Sequence, residues 1–161
     1  MEHIVYLALG SNMGLRLTNL KNAINNLTPQ MTVKAKSHVY ETPPWGFKEQ
    51  PSFLNQVVKV ETYLEPEALI QHLKRLETAL GRVPNFQNGP RIIDIDILFF
   101  DDEVVHSPHV QIPHPRLHER AFVLTPLADI APALVHPVLH KSVSALLAGV
   151  DQSHIHKYEG K

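Results

Sequence analysis

In the run Ile92-Ile93-Asp94-Ile95-Asp96-Ile97-Leu98 two carboxylates stand two residues apart within apolar sequence. On a strand that spacing puts both Asp side chains on one face and the isoleucines on the other. Like charges within about 7 Å in an apolar setting repel and lose hydration, so the pair calls for cations or strong donors. Magnesium suits it, as a hard ion that takes one or two carboxylates, water and substrate phosphates. Spacing alone fits a solvated edge strand equally well, and the flanking residues decide between the readings. Upstream, Gly89-Pro90-Arg91 sets a guanidinium at the mouth of the strand, and Arg82 is a second cation on the same loop. Arg matches phosphate geometry; a plain Arg91–Asp94 ion pair is the alternative. Downstream, Pro113-His114-Pro115-Arg116 and Glu119-Arg120-Ala121-Phe122 add an imidazole and two more guanidiniums. With a metal on the carboxylate pair, this set could neutralise a triphosphate.

A second constellation is the proline-stiffened loop Glu41-Thr42-Pro43-Pro44-Trp45-Gly46, closed by Gln50-Pro51-Ser52-Phe53-Leu54-Asn55. Aromatic rings beside an amide and backbone groups can bind a flat heterocycle with hydrogen-bonding edges. Phe53, at a strand start, fits core packing equally well. Of eleven histidines, His106, His109, His136, His140, His154 and His156 read as structural, and their spacing suggests no zinc site. No Walker-type loop, serine-nucleophile motif or dinucleotide glycine fingerprint is present. Gly10-Ser11-Asn12-Met13-Gly14 lacks the Lys and spacing of a phosphate loop and reads as a turn.

The elements that must position these groups follow from periodicity. His3–Leu9 reads as a strand, and Arg16–Leu27 as a helix through Leu17, Leu20, Ala23, Ile24 and Leu27. Met31–Glu41 alternates as a strand, and Phe53–Tyr63 is a third. Pro66 opens a helix over Glu67–Leu80 that Gly81 ends. Ile92–Phe100 is the fourth strand. This order predicts an α+β fold, a ferredoxin-like β-α-β-β-α-β sandwich with an antiparallel sheet, helices on one face and C-terminal additions. The additions are a short buried helix or turn near Phe122–Leu127, a helical turn over Val143–Leu147 and a polar tail.

A chain of 161 residues, 43% hydrophobic and 19% charged, fits one globular domain spanning 1–161. The formal net charge of -1 offers no global basic field for nucleic acid. The same element order occurs in RNA-recognition modules, but no basic aromatic strand is present and the Asp pair would face the RNA. Zero cysteines exclude a disulfide framework. The N-terminus lacks a secretory pattern, and no apolar run is long enough to span a bilayer. A cytoplasmic monomer acting on small molecules is expected, with neither nucleic-acid nor membrane partners.

Leu9-Gly10-Ser11-Asn12, Thr42-Pro43-Pro44 with Phe53-Leu54-Asn55, and above all Gly89-Pro90-Arg91 through Asp94-Ile95-Asp96-Ile97 with Pro113-His114-Pro115 resemble 6-hydroxymethyl-7,8-dihydropterin pyrophosphokinases over nearly the whole chain. The resemblance implies transfer of pyrophosphate from ATP to the pterin hydroxymethyl group in folate biosynthesis. It implies two magnesium ions on Asp94 and Asp96, with Arg82 and Arg91 as catalytic phosphate contacts. It places ATP at Ile70, Lys74, Glu77, Arg82, Arg91, Ile97, His114 and Arg120, and the pterin at Thr42, Pro43, Trp45, Phe53, Asn55, Asp94 and Phe122, with the two Phe rings sandwiching the heterocycle. The chain departs from the family at Pro84 and Asn88, where an Arg and a Trp are usual. Closure of loop 82–91 is therefore expected to rely on Phe86 or to be gated differently, with slower turnover. Pro115 stands where some members carry Tyr.

Overall fold

The computed structural model describes residues 1–44, 49–83 and 89–159. Strand β1 (His3–Ser11) is buried along nearly its whole length and pairs antiparallel on both edges. It can be central because its apolar residues satisfy both faces. On one side runs β4 (Phe53–Thr62), on the other β5 (Asp94–Phe100). The far edge of β4 takes β2 (Met31–Lys36) and β3 (Tyr40–Thr42) end to end. The resulting sheet is the antiparallel one expected, with β5 at one edge.

Helices α1 (Arg16–Asn25) and α2 (Pro66–Ala79) pack on one face, where Leu20, Ala23, Leu69 and Leu73 meet Val5, Leu7, Leu9, Val58, Val60, Ile95 and Ile97. Pro66 enters α2 in its first turn, where its missing N–H costs nothing. Gly81 ends the helix at φ +109°, a conformation that side chains other than glycine rarely take.

Three features differ from the sequence expectation. The strand expected over Met31–Glu41 breaks at Ser37, whose hydroxyl accepts the Val57 N–H at 2.9 Å while its carbonyl accepts the Gln56 amide. A local side-chain bond thus replaces part of the ladder. Helices do not stay on one face: α3 (Ala121–Ile130), longer than a turn, and α4 (Val143–Ala148) cover part of the other. They do so because that face is apolar there, with Tyr6, Val57, Leu98 and Phe99 meeting Val123, Leu124, Leu127, Val143 and Leu146. A bulge in β5 permits this. The register with β1 steps from Leu7↔Ile97 to Tyr6↔Phe99, so that Leu98 and its neighbour Phe99 both join the second core. Finally, the polar tail contributes β8 (His156–Lys157), which pairs with β3. Two short strands, β6 (Val105–His106) and β7 (Gln111–Ile112), form a separate ribbon.

Candidate active site

The part of the second face that α3 and α4 leave open is a cleft enclosing about 840 Å³ of free space, its open mouth included. Period-two alternation on four strands delivers its lining: Thr42 from β3, Phe53 and Asn55 from β4, Ala8 and Gly10 from β1, Asp94 and Asp96 from β5. Register sets their order. Gly10 lies between Asp94 on one side and Asn55 on the other, and Ala8 lies between Asp96 and Val57. With strands spaced about 4.8 Å apart, the acid pair faces the Asn55 amide across roughly 10 Å of floor. That floor is open because the central strand carries its two smallest side chains there. A Cβ on Gly10 would stand 3.1 Å from Asn55 Oδ1 and 3.7 Å from the Phe53 ring.

At the acid end of the cleft the cations converge. The Arg82 guanidinium lies 3.6 Å from Asp94 Oδ1 and donates to Glu77 at 2.7 Å. Glu77, buried on α2, also accepts the Ile95 N–H of edge strand β5 at 2.6 Å. This carboxylate therefore fixes both the strand bearing the acids and one of the arginines beside them. Burial raises its pKa, as does Asp94, while the Ile95 N–H and Arg82 pull the other way. Arg91 Nε stands 4.0 Å from Asp94 Oδ1, so the plain ion pair is present as a loose contact. Asp96 is half-buried. Burial first, then Asp94 and Glu77, hold its pKa well above the usual carboxylate range, with Arg120 and Arg82 opposing. Two hard oxygen donors on one face, one of them destabilised when charged, fit a magnesium ion.

The third wall comes from the segment after β7. The His114 N–H donates to the Leu98 carbonyl at 3.1 Å, at the bulge, which docks the Pro113-His114-Pro115 turn beside the acids. His114 Nδ1 accepts the Arg116 N–H at 3.3 Å, so the ring keeps its proton on Nε2. Burial, with Arg120 and Arg116 nearby, pushes its pKa down to about 4; at neutral pH His114 is an uncharged donor. Arg120 lies 5.6 Å over the Phe122 ring, and both line the cleft. Burial and then Arg116 lower the Arg120 pKa, against Asp96 and Asp94.

The residues expected from the sequence divide four ways. Thr42, Pro43, Phe53, Asn55, Arg91, Asp94, Asp96, His114, Arg120 and Phe122 line one cleft, and Asn55 donates to the Thr42 hydroxyl at 2.8 Å. Arg82 and Glu77 stand behind its acid end. Ile97 is buried in the core on the opposite face, Ile70 is half-buried at that core's edge and Lys74 is exposed on α2, so none of these three lines the cleft. Trp45, Pro84, Phe86 and Asn88 lie outside the described residues. Asn12, whose segment reads as a turn, is fully buried and joins two loops. Its amide donates to Gln50 Oε1 and the Pro51 carbonyl, and its Oδ1 and backbone N–H bind the Arg91 N–H and carbonyl. An Asn after a strand is ordinary turn chemistry, so no sequence signal marked its long-range partners. Gly10 was masked in the same way.

The cleft thus sets paired carboxylates among arginines on the open face of a ferredoxin-like α+β sandwich. The family model for 7,8-dihydro-6-hydroxymethylpterin-pyrophosphokinase matches residues 6–132, and the chain belongs to that family. It is 44% identical over 156 residues to a 2-amino-4-hydroxy-6-hydroxymethyldihydropteridine pyrophosphokinase of Methylorubrum extorquens, covering 96% of this chain and 98% of the relative. It is 45% identical over 139 residues to a folic acid synthesis protein of Dictyostelium discoideum, covering 86% of this chain but only 21% of that longer protein. The fold is shared with wild-type HPPK-DHPS of Plasmodium falciparum, with a TM-score of 0.75, 18% identity, and coverage of 92% of this chain and 41% of that one.

Proposed function

We infer that this chain transfers pyrophosphate from ATP to the hydroxymethyl group of 6-hydroxymethyl-7,8-dihydropterin, giving AMP and the pterin diphosphate in folate biosynthesis. The observation that carries the reading is the Asp94–Gly10–Asn55 row across the sheet. It sets a metal-type acid pair and a heterocycle-binding amide at the two ends of one open floor. Phe53 and Phe122 face the ring, and Asn55 with Thr42 reads its polar edge. The hydroxymethyl group then lies toward Asp94. Its oxygen attacks the β-phosphorus in line and loses its proton to solvent, the bond to the α-phosphate's bridging oxygen breaks, and AMP leaves with that oxygen.

The protein's contribution is positioning and charge. Arg82 and Arg91 hold phosphate oxygens, uncharged His114 donates from Nε2, and Arg120 balances charge opposite them. Asp94 accepts a hydrogen bond from the attacking hydroxyl. Two magnesium ions on Asp94 and Asp96 would supply electrostatic neutralisation of the triphosphate. Ile70, Lys74 and Glu77 share one stripe of α2 at helical spacing, and the adenine end of ATP extends past the β5 edge toward them and Ile97. Residues 1–161 act as one catalytic unit, a cytoplasmic monomer that uses small molecules alone. Among the described residues no helix is long and apolar enough to cross a membrane.

The direct test is AMP release from ATP, with pterin and magnesium each added or left out. AMP that forms only with both present is the expected result; no AMP, or AMP independent of the pterin, overturns the assignment.

A further inference from the structure

The pterin-side residues Thr42, Pro43 and Phe53 sit at the neck of the hairpin that joins β3 to β4, where Thr42 pairs with Phe53. Their side chains face the cleft. Glu41, one residue back along β3, alternates to the opposite face, toward α1. There the Arg16 guanidinium, at the start of α1, crosses the neck from behind. Its Nη1 donates to Glu41 Oε2 at 2.7 Å and to the Ser52 carbonyl at 2.9 Å, so one cation ties the outgoing strand of the loop to the returning one. The same guanidinium lies 5.6 Å over the ring of Tyr158. Tyr158 is held by its N–H, which donates to the Val39 carbonyl at 2.8 Å, and by β8, which pairs Lys157 with Tyr40 and His156 with Glu41. The match to the family ends at residue 132, so the tail that completes this contact lies beyond the matched segment.

We propose that Arg16, backed by Tyr158 of the C-terminal strand, is a clasp that sets the width of the hairpin neck and thereby the affinity for the pterin, with no part in nucleotide binding. The inference rests on the pterin reading of the cleft. Opening the neck separates Glu41 from Ser52 and carries Thr42 and Phe53 apart with them, because Thr42 follows Glu41 and Phe53 follows Ser52 along the chain and the two form one rung of the ladder. A guanidinium with two acceptors and an aromatic ring on its face has little room to swing. The neck is thus held before substrate arrives, and affinity that would be spent on positioning Thr42 and Phe53 is retained. Arg82, Arg91, Asp94 and Asp96 belong to β5 and the loop before it, on the other side of β1, and the clasp does not touch them.

The test measures pterin affinity in the chain of residues 1–161 at saturating non-hydrolysable ATP analogue, and affinity for the analogue itself. Arg16→Met removes both charge-assisted bonds and is expected to weaken the pterin about tenfold. Tyr158→Ala should weaken it about threefold, in line with one exposed cation–π contact. Tyr158→Phe keeps the ring and should bind like wild type. The double variant should be no weaker than Arg16→Met alone, since the two residues act as one unit. Analogue affinity should stay within about twofold throughout, a selectivity that general loosening of the fold would not produce. If Arg16→Met does not fold, Glu41→Gln weakens the same bridge and takes its place. Wild-type pterin affinity in the variants, equal loss for both ligands, or additive losses in the double variant overturn the clasp. Wild-type protein that binds no pterin overturns instead the function on which it rests.

Discussion

Replacing Asp96 by Asn should make the metal-free protein more stable while abolishing turnover. Asp94 and Asp96 are two residues apart on β5, which places their carboxylates roughly 7 Å from each other. At an effective dielectric of about 20 two such charges repel by about 2 kcal/mol. Burial adds to the cost and Arg120 and Arg82 subtract from it, as the causes of the Asp96 shift indicate. A net gain of about 1–2 kcal/mol is expected, and for a chain of this size that raises Tm by about 2–8 °C. The size of the gain depends on pH. Because the folded pKa of Asp96 is raised, its contribution to stability is fully present below the unfolded value and is lost as pH rises through the folded one. The advantage of the Asn variant should therefore be largest above neutrality and vanish below about pH 4, where the acid is protonated in both states. Thermal unfolding in EDTA from pH 4 to pH 8 reads this directly. Added magnesium should raise the wild-type Tm and leave the variant little changed. An Asn variant no more stable than wild type at pH 8, or equally stabilised at pH 4, would refute the reasoning, as would undiminished AMP formation.

Gly10→Ala puts a methyl group 3.1 Å from Asn55 Oδ1 and should raise KM for the pterin by about tenfold, with KM for ATP unchanged; steady-state kinetics with each substrate varied separates the two. Glu77→Ala leaves the Ile95 N–H and the Arg82 guanidinium without their shared acceptor. It should cost about 3 kcal/mol in urea unfolding and lower kcat through a mispositioned Arg82. His114 has a folded pKa depressed to about 4, so the unfolded chain takes up its proton first as pH falls. Stability from this residue is present above about pH 6.5 and declines toward pH 4, by as much as about 3 kcal/mol. His114→Gln should flatten that part of the acid-unfolding curve; an unchanged slope would show that His114 is not buried uncharged.

Periodicity along the chain was enough to place both helices of the sandwich, three whole strands, the first part of the strand that breaks at Ser37, and the one-faced Asp94–Asp96 pair, because those features repeat every two or 3.6 residues and depend on neighbours in sequence. Motifs identified the family and most of the cleft lining for the same reason: Gly89-Pro90-Arg91 and Pro113-His114-Pro115 are local strings. Contacts between distant segments were not legible. Nothing in the order of residues states that Gly10 pairs with both Asp94 and Asn55, or that Asn12 reaches Gln50 and Arg91. Nor does it state that the polar tail returns to β3, or that α3 and α4 cover part of the second face. The paired carboxylates show the difference most directly. Their type and spacing are written in the sequence and admit a solvated edge as readily as a metal centre. Strand β5 is indeed an edge strand, yet tertiary packing sets Glu77 behind it and Arg120 and His114 across from it. Burial and charge at that junction, which depend on distance in space and not along the chain, turn an ordinary acid pair into one that a cation would stabilise.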